Sequence, residues 1–149
     1  MALGYIVFDR AERGGAGAGV TLTAVRDFDP EGGDGEHPEQ VPAATDGDID
    51  TFWTTETYSS FSKSGVGIVL DAGKAVDLAE IEVVSDEPGF TALIRARDRR
   101  GGRFVDVSDE RTVGTRTVFE LEGSDEHRFY LVWITDPNGR AHVNEVRAP

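Results

Sequence analysis

Residues 44–53 read Ala44-Thr45-Asp46-Gly47-Asp48-Ile49-Asp50-Thr51-Phe52-Trp53, the most informative segment of the chain. Three carboxylates stand at alternate positions, a glycine permits a tight turn, and a threonine adds further oxygens. Oxygen donors of this kind suit Ca²⁺. Two unit charges ~4 Å apart repel by about 1 kcal/mol in water and by about 4 kcal/mol at an effective dielectric of 20. Carboxylates that converge in this turn therefore need a cation; the alternative is an ordinary acidic surface turn whose side chains point apart into solvent.

The rest of the chain reads as short strands separated by turn residues. Val, Ile, Phe and Thr recur in alternating or continuous apolar runs, and clusters of Gly, Pro, Asp and Asn interrupt them. Only residues 38–44 suggest a helix, and Pro42 limits it to one short irregular turn. The pattern therefore predicts an all-β fold of eight strands, either an antiparallel sandwich or a jelly roll. Its strands are predicted near residues 20–26, 66–71, 78–84, 90–97, 103–107, 116–121, 128–135 and 142–147.

Two tryptophans are expected in the interior. Residues 129–134 are apolar on both faces, which is typical of a central strand covered on both sides. Trp133 lies in this run, and Trp53 closes the acidic segment. Because an indole buries a large area, both side chains are predicted to pack in the core rather than to form ligand platforms.

Composition excludes several classes of protein. The chain has 149 residues, which fits one domain with its own core. Its 28 acidic and 15 basic residues give a net charge of -13, which repels phosphate backbones and anionic headgroups. Neither nucleic-acid binding nor direct membrane binding is expected. The chain has no cysteine, which excludes disulfides and thiolate chemistry.

The expected domain covers residues 20–149, preceded by a tail and linker at residues 1–19. Residues 1–8 are largely apolar, but they are too few to span a bilayer. A charged stretch and a Gly/Ala run follow them, as in a flexible linker. Three interpretations of the apolar part stay open: an edge strand, a loose terminus, or the last turns of a membrane helix.

The acidic segment belongs to a longer pattern that resembles the discoidin, or factor V/VIII type C, family. The order and spacing of the pieces carry the resemblance, which covers nearly all of residues 20–148. The chain is similar to the discoidin-like extracellular domains that end actinobacterial membrane proteins of the MviN flippase and Ser/Thr-kinase-like type. The resemblance implies a galactose-binding-like jelly roll. Besides the acidic segment, the matching pieces lie at residues 29–39, 54–58, 65–73, 76–83, 128–134 and 143–147.

The resemblance also implies one structural Ca²⁺ where the first long loop meets the last strand. Carried over by position, its ligands are the backbone carbonyl of Ala44, the side chains of Asp46 and Asp48, Thr51 through its carbonyl or hydroxyl, and Glu145. Many discoidin domains are closed by a disulfide between their termini. Since this chain has no cysteine, strand pairing or the metal must close it.

Candidate ligand contacts lie on a loop and on one strand. In the segment from Thr54 to Ser64, Tyr58 and Phe61 stand among serines and threonines and Lys63 follows, a combination suited to sugar or peptide recognition. The alternative is that the two rings cap the core.

Two arginines on a strand are the second group of candidate ligand contacts. Arg95 and Arg97 share one strand face and suit a carboxylate or an anionic glycan. The alternative is that they pair with surface acids.

No catalytic pattern is visible in the sequence. It contains no G-x-S-x-G elbow and no zinc helix, and no pair of carboxylates stands out among 28 acids. The chain is therefore not expected to be an enzyme. We expect a non-catalytic extracytoplasmic binding module at the cell surface, in a membrane-anchored protein, that recognises a cell-surface or cell-wall carbohydrate through loop tips. The alternatives are a structural or protein-interaction domain that binds a protein partner, and a carbohydrate-binding appendage of a glycosidase.

Overall fold

The computed structural model of the chain describes residues 19–123 and 125–149. The predicted tail and linker at residues 1–19 lie outside this part of the chain, apart from Gly19. The described residues form eleven strands and one 3₁₀ helix: β1 (Thr23–Phe28), the 3₁₀ helix (Pro38–Thr45), β2 (Trp53–Thr54), β3 (Val66–Val76), β4 (Glu80–Val84), β5 (Thr91–Arg97), β6 (Val105–Asp106), β7 (Arg111–Thr112), β8 (Arg116–Glu120), β9 (His127–Asp136), β10 (His142–Val143) and β11 (Glu145–Arg147).

The predicted all-β antiparallel sandwich is confirmed, and each of the eight predicted strands has a counterpart. The sequence did not indicate the two-residue strands β2 and β7, and the last predicted strand is divided at Asn144 into β10 and β11. The predicted irregular helix is the 3₁₀ segment. Pro38 suits its start because proline has no N–H to leave unpaired, whereas Pro42 inside it cannot donate a hydrogen bond.

Two antiparallel sheets form the sandwich. The large sheet has the order β1-β3-β9-β5, and both β6 and β7 pair with the free edge of β5. The second sheet has the order β11-β4-β8. Strands β10 and β2 form a separate two-stranded pair, and β10 directly precedes β11 in the chain. A bridge between Val20 and Ala148 joins the two ends of the described domain. No helix among the described residues has the length and apolar character needed to cross a bilayer.

Strand β9 shows how the large sheet buries both of its faces. Tyr130, Val132 and Ile134 point into the main core between the sheets. Phe129, Leu131 and Trp133 alternate with them and form a second apolar layer on the outer face. The predicted covering of this strand on both sides is therefore confirmed.

Both tryptophans are buried, but in different layers. Trp53 has no exposed surface and lies in the main core, whereas Trp133 is 4% exposed and lies in the outer layer. Phe28 and Phe104 pack over the outer layer. The outer face of the large sheet therefore carries a buried apolar layer of its own, although it faces away from the second sheet.

Candidate functional site

The acidic turn, residues 46–51, is held in shape by its own hydrogen bonds. Asp46 accepts from the backbone N–H of Asp48 at 3.0 Å and from the hydroxyl of Thr51 at 2.6 Å. Asp48 accepts in turn from the N–H of Asp50 at 2.9 Å. Gly47 adopts a φ of 80°, which a residue with a side chain rarely does. The bond from Thr51 is the main reason why the pKa of Asp46 is lowered.

Glu145 reaches this turn from the other end of the chain. Pairing of β11 with β4 fixes its backbone, and its side chain accepts hydrogen bonds from the N–H of Gly47 at 3.1 and 3.2 Å. Only 4% of Glu145 is exposed. Burial raises its pKa, and the charges of Asp46 and Asp48 raise it further, against the effect of the Gly47 bond. The structure thus brings Glu145 into contact with the acidic turn through the N–H of Gly47, and the role of these residues as metal ligands stays a prediction.

The groups around Glu145 include oxygen donors of the kind that a hard cation takes. Ala44, whose carbonyl is the remaining predicted ligand, is fully buried at the end of the 3₁₀ helix. Within residues 19–123 and 125–149 no three His, Cys, Asp or Glu side chains converge closely enough to hold a metal by themselves. A buried carboxylate beside two further acids nevertheless has the chemistry that Ca²⁺ stabilises, and backbone carbonyls complete such sites.

Tyr58 and Lys63, two of the predicted ligand contacts, belong to a buried polar network around Glu36. The Tyr58 hydroxyl donates to Oε2 of Glu36, a residue with no exposed surface. The Lys63 Nζ donates to Tyr58 at 3.0 Å, to Asp29 at 3.0 Å and to Glu36 at 3.4 Å. The other Glu36 oxygen accepts from the N–H of Glu56 at 2.8 Å. This network ties the loop before the 3₁₀ helix to the loop after β2.

The network raises the pKa of both predicted contacts above their ordinary values. Burial, together with the bond to Glu36, raises the pKa of Tyr58 to about 12. Burial lowers the pKa of Lys63, but hydrogen bonds to Tyr58 and Asp29 outweigh it and raise the pKa overall. Tyr58 is therefore a neutral donor and Lys63 a cation, and both are engaged within the protein.

Phe61 completes this loop. Its ring meets the ring of Tyr58 edge to face, with centroids 4.9 Å apart, and it packs against the main core. Both rings are half-buried, while Ser59, Ser60 and Ser62 are exposed. The rings therefore cap the core and also contribute to the loop surface, and their role as ligand contacts stays a prediction.

Arg95 and Arg97 lie on the outer face of the large sheet, on the side of the apolar layer. The Arg95 Nε lies 2.6 Å from Asp106, and its guanidinium covers Trp133 at 5.0 Å. Arg97 is 7% exposed and donates from Nη1 to the carbonyl of Gly102 at 3.1 Å. Arg95 therefore pairs with a surface acid, whereas the contacts described for Arg97 are with a carbonyl and with aromatic rings.

A shallow groove extends from the end of the loop to Arg95. Its volume is about 460 Å³, and Ser64, Arg95, Arg103 and Trp133 line it. Ser64 follows Lys63 directly, so the two predicted ligand regions border the same surface although they form separate clusters.

The sequence matches no protein-family model and no curated protein sequence. Many solved structures resemble the fold, among them three that consist largely of it. The first is CpGH89CBM32-6 produced by Clostridium perfringens, with a TM-score of 0.59 and 14% identity; the match covers 86% of this chain and 90% of that one. The second is the C-terminal domain of a chitobiase from Bacteroides fragilis, with a TM-score of 0.60 and 16% identity over 87% of this chain and 93% of that one. The third is a chitosan-binding module of a chitosanase/glucanase from Paenibacillus sp. IK-5 in complex with chitotriose, with a TM-score of 0.56 and 15% identity over 70% of this chain and 82% of that one.

Some matching structures are much longer than this chain. It spans 24% of a Ruminococcus gnavus GH29 fucosidase and 14% of a Clostridium perfringens family 89 glycoside hydrolase. Together with the sheet order, these likenesses show that the chain has the galactose-binding-like jelly-roll fold, as the resemblance to discoidin domains implied.

Proposed function

We propose that the protein is a non-catalytic carbohydrate-binding module that recognises a glycan through the loop at residues 54–64. The observation that carries the proposal is the half-buried pair Tyr58 and Phe61, packed edge to face beside exposed serines. It occurs on a fold shared with a solved module that holds chitotriose.

The rigidity of the aromatic pair favours binding. Glu36 and Lys63 hold the hydroxyl of Tyr58 from the protein side, so little side-chain freedom remains to be lost when a ligand stacks on the rings. Aromatic surfaces and nearby hydroxyl groups are what sugar recognition requires, because a sugar offers an apolar ring face and polar edges.

A structural Ca²⁺ is part of the same proposal. The carbonyl of Ala44, the carboxylates of Asp46, Asp48 and Glu145, and an oxygen of Thr51 would hold it. The ion would neutralise buried negative charge and tie the acidic turn to the last strand, with no part in chemistry.

We further propose that the module acts outside the cytoplasm, on a cell surface and within a membrane-anchored protein, as the resemblance to discoidin-like extracellular domains suggests. A second candidate is a carbohydrate-binding appendage of a glycosidase. It is favoured by the whole glycoside hydrolases in which this fold occupies 14–24% of the chain. A domain that docks on a protein partner through the same loop is the third candidate.

The test is a glycan array followed by titration calorimetry with the best ligand. We expect saturable binding that weakens at least tenfold in Phe61→Ala, whereas the matched control Val105→Ala on β6 binds like the wild type. Circular dichroism confirms that both variants are folded. Absence of binding to any glycan, or equal binding by Phe61→Ala, would contradict the proposal; recovery of one defined protein partner would favour the docking domain.

A further inference from the structure

A cavity on the outer face of the large sheet has a charge opposite to that of the molecule. It encloses about 390 Å³, and Arg26, Arg97 and Arg100 line it together with Val69 and Phe129. No carboxylate is among its described lining residues, although the chain has 28 acidic residues against 15 basic ones. Three cations around one cavity in a protein of net charge -13 indicate a site for an anion.

Arg97 is the strongest sign of a missing partner. Its guanidinium lies 4.2 Å from the ring centroid of Phe104 and 5.8 Å from that of Phe129, and 93% of the residue is buried. Its Nε is buried and finds no acceptor among the described residues. Burial and the charge of Arg26 lower its pKa. Since arginine is rarely buried without an ion-pair partner, its counterion is expected to come from outside the chain.

The two other arginines are placed to close over such an anion. Arg26 and Arg100 are exposed, and their described contacts are with aromatic rings, Phe28 at 5.6 Å and Phe129 at 6.0 Å. The charge of Arg100 also acts on Asp71. That carboxylate is already held by two bonds from Arg128, at 2.9 and 3.1 Å, so the charge of Arg100 remains available to a ligand.

The cavity also has an apolar floor, formed by Val69 and Phe129. A bare inorganic anion would leave this surface unused. A sugar acid presents an apolar ring face and a carboxylate on the same unit, and planar guanidinium groups bind carboxylates in two-bond geometry. Gly101 lines both this cavity and the groove that contains Arg95 and Trp133, so neighbouring sugars of a chain would have a continuous surface to follow.

We propose that this cavity, the arginine pocket, binds a uronic acid residue of an acidic glycan, with Arg97 at its base and Arg26 and Arg100 at its rim. The pocket is separate from the loop site of the proposed function, since none of Tyr58, Phe61 and Lys63 lines it. Its ligand differs as well, because the loop site does not require a charged sugar.

The test uses oligogalacturonate and its fully methyl-esterified form, which has the same sugar rings without the charge. Titration calorimetry of the wild type is expected to show binding of the acid form at least tenfold tighter than that of the ester, weakening as salt rises. The double variant Arg26→Gln/Arg100→Gln, altered only at exposed positions, should lose at least tenfold in affinity, and Arg97→Lys should lose a similar factor. The matched control Arg116→Gln on β8 in the second sheet should bind like the wild type.

Three outcomes would overturn the proposal: equal affinity for acid and ester, unchanged binding by the double variant, or equally tight binding of polyglutamate, which would make the ligand an acidic peptide. The Phe61→Ala variant separates the two sites. It should lose the neutral glycan of the proposed function and keep the uronate, so that failure of one proposal is distinguishable from failure of the other.

Discussion

The backbone N–H of Gly47 bonds both carboxylate oxygens of Glu145, at 3.2 and 3.1 Å, across 98 positions of the sequence. This contact joins the first long loop to the last strand. A protein without cysteine has no disulfide to make such a connection. The bridge between Val20 and Ala148 is a second closure of the domain ends. Closure by strand pairing and by a buried carboxylate therefore replaces a covalent link.

Calcium is expected to stabilise the protein by binding between the acidic turn and Glu145. At a free concentration 100 times the dissociation constant, binding contributes about 2.7 kcal/mol, which corresponds to a rise in Tm of roughly 5–10 °C. Differential scanning calorimetry should show this rise in the wild type and in Asp50→Asn, whose carboxylate is outside the proposed ligand set. The rise should be absent in Glu145→Gln. A wild-type Tm that does not respond to calcium or chelator would rule out the ion and leave the fold unaffected.

Replacing Glu36 by alanine should strongly destabilise the protein. The change removes the buried acceptor of Tyr58 and of the Glu56 N–H, and it takes away one of the two carboxylates to which Lys63 donates. Loss of one member of a buried charge network typically costs about 3 kcal/mol or more. Urea unfolding should show this loss for Glu36→Ala and less than about 1 kcal/mol for Glu56→Ala, whose side chain is 46% exposed. Equal effects of the two variants would show that the network does not stabilise the fold.

Gly67 in β3 should not tolerate a side chain. A Cβ there would lie 1.9 Å from the carbonyl oxygen of Val132 on β9, so the two central strands would have to move apart. Overpacking of this kind costs about 1–3 kcal/mol, and the upper end is expected here because the obstacle is backbone. In urea unfolding, the matched control Gly114→Ala, whose Cβ would meet no atom closer than 3.9 Å, should change stability by less than about 0.5 kcal/mol.

Asp71 should make the stability of the protein depend on acid pH. The bonds from Arg128 lower its pKa in the folded protein, so the unfolded chain binds its proton first as the pH falls. The contribution of Asp71 is complete above its unfolded pKa of about 3.9 and is lost as the pH falls through the lower folded value. Unfolding free energies measured from pH 6 to pH 2 should fall less steeply in Asp71→Asn than in the wild type. Parallel curves would contradict this assignment.

The sequence indicated features that depend on local pattern. Alternation along residues 90–97 placed Arg95 and Arg97 on one face of β5, and the apolar run at 129–134 identified the central strand. The proximity of Glu145 to the acidic turn came from a resemblance in the order of segments, since no local pattern connects residues 98 positions apart.

Other features depend on contacts that no local pattern encodes. Glu36 lies in an acidic loop and has the sequence character of a solvated residue, yet it is fully buried because Tyr58 and Lys63 from another loop close over it. Of the arginine pocket, only Arg97 was predicted as an anion contact, and the other two arginines were missed for a similar reason. Arg26 and Arg100 stand far apart in sequence, and only the pairing of β1, β3, β9 and β5 brings them to the same cavity as Arg97.

The bridge between Val20 and Ala148 determines how the domain responds to mechanical tension. The two residues are antiparallel partners joined by a hydrogen bond of 3.1 Å, and Gly19 and Pro149 lie beside each other next to this bridge. A pulling force applied to Val20 and Ala148 would open hydrogen bonds one after another, as in unzipping, instead of shearing several at once. The bond between Gly47 and Glu145, three residues before Ala148 in the sequence, would be among the next links to carry the load.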